Sequence, residues 1–119
     1  MMGLAAVAQG VLVMLRIYAD VQSMQADARA LCERISGHDR GLASQLRRSA
    51  QSVALNVAEG MAARGGVRRN AYCVALREAR ECVAAIDVAE RWGYVGRDPG
   101  VLDRLDKIVA TLMKLTMTQ

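Results

Sequence analysis

Apolar residues recur every three or four positions along nearly the whole chain, the period of one face of an α-helix. The first stripe is Tyr18, Val21, Met24, Ala28, Leu31 and Ile35, with Gln22, Gln25, Asp27, Arg29 and Arg34 between its members. The same period returns in Leu42, Leu46, Ala50, Val53, Val57 and Met61, over a segment from about Arg40 to Ala63. A third stripe, Leu76, Ala79, Val83, Ile86 and Ala89, belongs to a segment starting near Val67 and running toward Trp92. The fourth is Val101, Leu102, Leu105, Ile108, Val109, Leu112 and Leu115. Alternation of period two, the mark of a half-buried strand, is absent, so the pattern predicts four helices.

Punctuation between the stripes agrees with this division. Gly37 supplies a C′ residue, and Asp39 is placed to cap the second helix with its carboxylate. Arg64-Gly65-Gly66 ends the second helix and Gly93 the third. Asp98-Pro99 is a start signal: Asp caps, and Pro at the first helical position lacks only an amide that would be unpaired anyway. Loops this short force successive helices to lie antiparallel, which predicts an all-α, antiparallel up-down-up-down four-helix bundle. Helices of roughly 18 to 25 residues would each be about 27 to 38 Å long.

At 119 residues there is room for one domain with one core. Phe is absent and Trp occurs once, so that core must be aliphatic. Residues 15–119 are read as the bundle. Residues 1–14 are read either as an extension of the first helix lying on a neighbouring subunit or as the product of a start codon assigned upstream of the domain. The apolar run Leu4 to Leu15 is short of the about 20 residues that a membrane span requires. No Lys or Arg precedes Arg16 to form the basic region of an export signal. The expectation is therefore a cytoplasmic protein with no membrane partner. Cys73 and Cys82 stand nine residues apart, on opposite sides of a helix, so they cannot share a metal. The three cysteines are read as small apolar thiols of the core.

Several faces are more apolar than one core requires. Ala54, Leu55 and Ala58 flank the second stripe, and Met113 and Met117 lie outside the fourth. Apolar surface of this extent predicts association with copies of the same chain.

Charge is uneven. Residues 37–80 hold Arg40, Arg47, Arg48, Arg64, Arg68, Arg69, Arg77 and Arg80 against Asp39, Glu59 and Glu78, although the whole chain is only +4. Arg outnumbers Lys by fourteen to two, and a guanidinium binds phosphate bidentately where an ammonium does not. Arg40, Arg47, Arg48, Arg64, Arg68 and Arg69 are thus candidate contacts to RNA or DNA. The structural alternative pairs such arginines with Asp103, Asp106 or Glu90 on neighbouring helices. Asn56 and Glu59, one turn apart beside Val53 and Val57, are read with Arg80 as a polar lock that fixes helix register or a subunit contact.

Catalysis finds little in this pattern. His38, the single histidine, falls in a loop beside Gly37 and is expected to be exposed. The Glu-x-x-His pairs of a di-iron bundle are missing, and no metal or cofactor is expected.

Two runs, Ser44-Gln45-Leu46-Arg47-Arg48-Ser49-Ala50 and Ser52-Val53-Ala54-Leu55-Asn56-Val57-Ala58-Glu59-Gly60, resemble the signature of the four-helix-bundle proteins encoded in bacterial 23S ribosomal RNA intervening sequences. The similarity continues through Tyr72, Leu76, Ala79-Arg80 and Trp92-Gly93-Tyr94-Val95, covering about residues 15–117. It implies a ring, typically a pentamer, without catalytic activity. That family is also similar to the accessory variability protein of diversity-generating retroelements, a basic pentameric bundle that works with a reverse transcriptase and its RNA. The chain departs from the family pattern after Ala79-Arg80, where Glu81-Cys82 and Ala85 replace the usual Gly-Ser and following Glu. Two functions are therefore expected as alternatives: a non-enzymatic, self-assembling subunit, or a nucleic-acid-binding accessory module that partners a reverse transcriptase.

Overall fold

A computed structural model of the chain describes residues 3–117. Met1 and Met2, in the predicted extension, and Thr118 and Gln119, at the end of the predicted bundle segment, lie outside the described residues. Among the described residues the regular structure is helical: α1 (Leu4–Ser36), α2 (Arg40–Ala62), α3 (Gly65–Arg91) and α4 (Pro99–Met117). Each of α1 and α3 packs against both α2 and α4, with the α2–α3 seam the most extensive. This is the square arrangement of an up-down-up-down bundle. Its dimensions are 54 × 24 × 19 Å.

Helix boundaries follow the capping chemistry. Asp39 Oδ1 accepts the Leu42 amide at 2.9 Å, and Asp98 Oδ1 accepts that of Val101 at 3.2 Å, so both predicted caps form. At the end of α3 the Gly93 amide donates to the Glu90 carbonyl and the Tyr94 amide to that of Ala89. These paired bonds close a Schellman turn, which requires the left-handed conformation that Gly93 adopts at φ 74°. Two boundaries differ from the pattern. The third helix begins at Gly65 rather than near Val67, so Gly65 and Gly66 form its first turn and only Ala63 and Arg64 link it to α2. Gly37 ends α1 in ordinary right-handed geometry, φ −67°, because the His38 and Asp39 amides both return to the Ile35 carbonyl.

The buried set also departs from the stripes in one systematic way. In α1 the core face is headed by Ile17, and Tyr18 is turned outward. α3 presents a mostly small buried face, Ala71, Ala75, Ala79, Cys82, Ala85 and Ala89 beside Tyr72 and Ile86, whereas α2 buries Ala43, Ser49, Ala50 and Gly60 together with Leu46, Val53 and Val57. Leu42, Met61, Leu76 and Val83, read from the sequence as central, are partly buried at the flanks. Small residues let two helix backbones approach, and large ones close the sides. Gly60 shows how tightly: a Cβ there would lie 2.7 Å from Cδ1 of Tyr72 and closer still to Cε1. Tyr72 is itself 1% exposed, so the ring is held inside the core.

Register follows from polar contacts between helices. Gln25 Nε2 donates to the Ala50 carbonyl at 2.8 Å and Cys32 Sγ to that of Ala43 at 3.3 Å, which places Gly60 level with Leu15. The Arg104–Asp27 ion pair aligns α4 with α1 and brings Thr116 to the same height. With 33 residues, α1 is about 50 Å long and projects beyond this level. It runs unbroken through position 15; what changes there is burial, since Leu4, Val7, Val11, Leu12 and Leu15 are exposed. Among the described residues α1 is also long and apolar enough to cross a membrane, by length and composition. Its second half is committed to the bundle by six buried residues from Ile17 to Ile35.

Gly60→Ala provides a test of the seam. Alanine gains about 1 kcal/mol of helix propensity over glycine, whereas forcing a methyl group into a packed ring costs about 1–3 kcal/mol or more. At this separation overpacking wins. Urea denaturation should show a net loss of at least about 1 kcal/mol, and Tyr72→Ala in the Gly60→Ala background should remove the clash though not the cavity it opens.

Candidate functional site

The six candidate arginines divide into two groups with different roles. Arg68 Nε donates to the Gly60 carbonyl at 2.9 Å and its Nη2 to that of Met61 at 3.4 Å. Arg69 Nε donates to the Thr116 carbonyl at 2.9 Å. Both guanidinium groups thus occupy helix C-termini, where the last carbonyls lack intrahelical donors and the macrodipole favours a cation by about 0.3–1 kcal/mol. Arg40, Arg47, Arg48 and Arg64 are exposed, and no carboxylate among the described residues meets them.

The partners read from the sequence for these arginines do not form. Among the described residues the ion pairs are Arg29–Glu33, Arg77–Glu78, Arg91–Asp87 and Arg104–Asp27. Asp103 and Asp106 lie on the outer side of α4 and form no ion pair among the described residues. Glu90 is partly buried, with Oε1 enclosed and without a hydrogen-bond partner among them.

Nor do Asn56, Glu59 and Arg80 meet within one chain. Asn56 Nδ2 donates to the Ser52 carbonyl at 2.9 Å and to Ser52 Oγ at 3.2 Å, one turn back on its own helix. Glu59 and Arg80 are exposed on separate helices. Their residue types suit an ion pair, but Glu59 is turned away from the buried stripe that runs through Val53 and Val57. Polar ties across the bundle come from other residues: Ser49 Oγ donates to Glu81 Oε2 at 3.1 Å, joining α2 to α3, and Gln25 joins α1 to α2. Ser49 was detectable, since it falls among Leu46, Ala50 and Val53 on the buried face. Its partner Glu81 stands where the chain departs from the family pattern.

A groove of about 650 Å³ lies between α1 and α2. Ala28, Ala43 and Ala50 line its floor, and Arg29, Arg40 and Arg47 stand along it. Cys32 lies within it; burial pushes this thiol above its ordinary value, and the nearby Arg47 charge partly offsets the rise. At the lower end of the bundle His38 is exposed, as expected, and stacks on Tyr94 with ring centroids 4.9 Å apart. The stack ties the α1–α2 turn to the α3–α4 loop.

The other thiols occupy opposite environments on α3. Cys73 is exposed, which corrects its reading as a core residue, whereas Cys82 is buried. Burial, then the charges of Glu78 and Glu81, push the Cys82 thiol up to about 12. Cys73 should therefore react first with a thiol reagent at pH 8, and Cys82 only after unfolding; equal rates for the two would contradict the burial. The unfolded chain ionises Cys82 near its ordinary value of 9.0, so it binds fewer protons than the fold above that pH. Stability should fall as pH rises from about 9 toward 12, with a shallower decline in Cys82→Ala, read from urea midpoints at each pH.

Comparison with known proteins bears on these surfaces. No curated protein matches the chain. A crystal structure of a protein of unknown function from the S23 ribosomal protein family of Bacteroides thetaiotaomicron superposes with a TM-score of 0.82 at 18% identity, covering 89% of this chain and 99% of that one. At that identity the likeness shows the fold. The sequence model of the 23S rRNA-intervening sequence protein family matches residues 14–116, from the last turn before the buried part of α1 to the end of α4. By this match the chain belongs to the 23S rRNA-intervening sequence protein family.

Proposed function

We propose that the chain is a non-enzymatic subunit of a self-assembling ring, five copies by the resemblance to its family. The observation that carries this reading is the apolar surface left on the outside of an already filled bundle. Leu55 is 71% exposed and Met117 74%, with Tyr18 and Met113 also outward. Met113 and Met117 are one turn apart, and the projecting part of α1 adds Val11, Leu12 and Leu15. Single exposed apolar residues are ordinary, but several of them on three helices around an already filled core favour cover by another surface. The bundle core does not need them: it is closed by Ile17, Leu31, Leu46, Leu105, Ile108 and Leu112, each nearly inaccessible. The chemistry along the groove is that of Arg, Gln, Ser and a thiol with a raised pKa, and His38 is engaged in a stack. None of these side chains is placed as an activated nucleophile beside a base.

A second reading, an RNA-binding accessory module, is favoured by the exposed arginines that have no carboxylate partner among the described residues. Arg68 and Arg69 contribute charge to it but are held at helix ends, so Arg48 and Arg64 are its freest members. Repetition of such charges around a ring would multiply attraction for a polyanion.

Sedimentation velocity at micromolar concentration should give a mass several times 12.9 kDa; a monomer would overturn the first reading. For the second, mixed-sequence RNA should bind at low salt and weaken steeply as salt rises. Arg48→Gln with Arg64→Gln should lower the slope of log K against log salt by about 1 for each phosphate that these arginines neutralise in the wild type. No binding at low salt, or an unchanged slope, would remove it.

A further inference from the structure

We infer that the outer face of α4 on one copy of this chain docks into the α1–α2 groove of the next. The inference rests on the self-assembly reading above and specifies which two surfaces meet.

The first surface is a stripe. Asp103, Asp106, Ala110, Met113 and Met117 are exposed and spaced three and four residues apart, so they form one face of α4. This face lies opposite the buried set Val101, Leu105, Ile108, Leu112 and Thr116. Its acidic and apolar members are separated, the carboxylates at the start of the helix and the methionines at its end, with the exposed Lys107 and Lys114 along one edge of the face. Neither carboxylate has a cationic partner among the described residues.

The second surface is the groove and its continuation toward the opposite end of the bundle. Arg29 and Arg47 stand on its two sides, and Arg47 has no carboxylate partner among the described residues. The Arg29–Glu33 pair is loose, 3.5 Å between two highly exposed groups. Farther along the same sides of α1 and α2, at helical spacings from Arg29 and Arg47, come Tyr18 on α1 and Leu55 and Ala58 on α2, all exposed. The groove is therefore polarised in the same sense, cationic at one end and apolar at the other.

The heights of these groups turn two compatible surfaces into a pair. Asp27 meets Arg104, so Asp103 lies level with Ala28, beside Arg29. The Gln25–Ala50 and Cys32–Ala43 contacts put Arg47 at that height too. Ten residues along α4, Met113 lies level with Tyr18, and by the same register with Val57, between Leu55 and Ala58. Rotation about an axis parallel to the bundle moves no atom along that axis, so each copy must present complementary groups at equal heights. Here carboxylate faces guanidinium and methionine faces Tyr18 and Leu55 without any axial displacement. The two surfaces are different patches, α4 on one side and α1–α2 on another, so the contact is head-to-tail and generates a ring when the rotation closes. The contact draws Arg47 out of the nucleic-acid set and leaves Arg48 and Arg64 outside it.

Charge exchange tests the pairing on exposed residues, of which Arg29 alone is engaged within the chain, in its loose pair with Glu33. Asp103→Arg with Asp106→Arg sets like charges against the groove, and Arg29→Asp with Arg47→Asp does so from the other side. Each double variant should keep the wild-type far-UV circular dichroism and raise the concentration for half-assembly by at least about tenfold in sedimentation velocity. The quadruple variant, with both charges exchanged in one chain, should return to within about threefold of wild type. Wild-type protein that is monomeric would remove the self-assembly reading and this contact together. An assembled wild type whose two double variants stay assembled would leave self-assembly standing and overturn the assignment of these surfaces. Double variants that dissociate without recovery in the quadruple variant would overturn the pairing of Asp103 and Asp106 with Arg29 and Arg47.

Discussion

The close approach of α2 and α3 is the constraint on which the remaining structure depends. Gly60 lies against the Tyr72 ring with no room for a single methyl group, and six of the eight buried residues of α3 are alanine or cysteine. Two helices held this near each other bury many backbone and Cβ atoms and leave little volume for bulky side chains. Leu42, Met61, Leu76 and Val83 are displaced to its flanks. Apart from Tyr72 and Ile86, the larger buried side chains come from the other helices: Ile17, Leu31 and Ile35 on α1, Leu46 on α2, and Leu105, Ile108 and Leu112 on α4. The core is thus asymmetric, small-grained along α3 and aliphatic along the other three helices, without a phenylalanine anywhere in the chain.

Such a seam must also be kept in register, because sliding one helix by a turn would bring Tyr72 against a residue with a Cβ. Polar groups supply that control at three places. Ser49 and Glu81 join the two helices within the seam, the Arg68 guanidinium reaches back to the final carbonyls of α2, and Arg69 reaches the end of α4. Each bond satisfies an acceptor while holding the bundle to one axial alignment. At the far end the His38–Tyr94 stack joins the two remaining turns. An apolar core alone tolerates small axial shifts; these directional contacts do not.

Much of this was legible in the sequence, and the rest was hidden for physical reasons. Helical period and the caps at Asp39 and Asp98 pointed to four antiparallel helices. The period could not resolve whether Ile17 or Tyr18 heads the first stripe, since adjacent apolar residues differ by 100° and either fits a broad face. Gly65-Gly66 reads as a helix stop, yet α3 begins there, because a first turn has no earlier helical turn to bond and tolerates glycine. The arginines illustrate the limit most clearly: sequence can count guanidinium groups but cannot tell Arg69, bonded across to Thr116, from Arg64, facing solvent. Asn56, Glu59 and Arg80 are the converse case. Their types suit a lock, but helix rotation and separation decide who meets whom, and those depend on the small residues of the seam.

The same asymmetry bears on what the outer surface is for. A chain that buries mainly Ala and Cys along α3 draws most of its large core residues from the other helices. Once the core is full, the remainder falls outside: Leu55, Met113, Met117, Tyr18 and the projecting part of α1. Burying side chains of this size is worth about 1.5–3 kcal/mol each, comparable together with the net stability of a small domain. A monomer leaves that free energy unused and exposes its apolar groups to indiscriminate contact. Charges are an effective means of directing such a surface toward one partner, since like charges reject wrong alignments at several kcal/mol. Asp103 and Asp106 on α4 and Arg47 beside the groove, none of them in an ion pair among the described residues, stand at common heights on different sides of one bundle. The contacts that fix the fold's internal register thereby also fix the heights of the charges it presents outward.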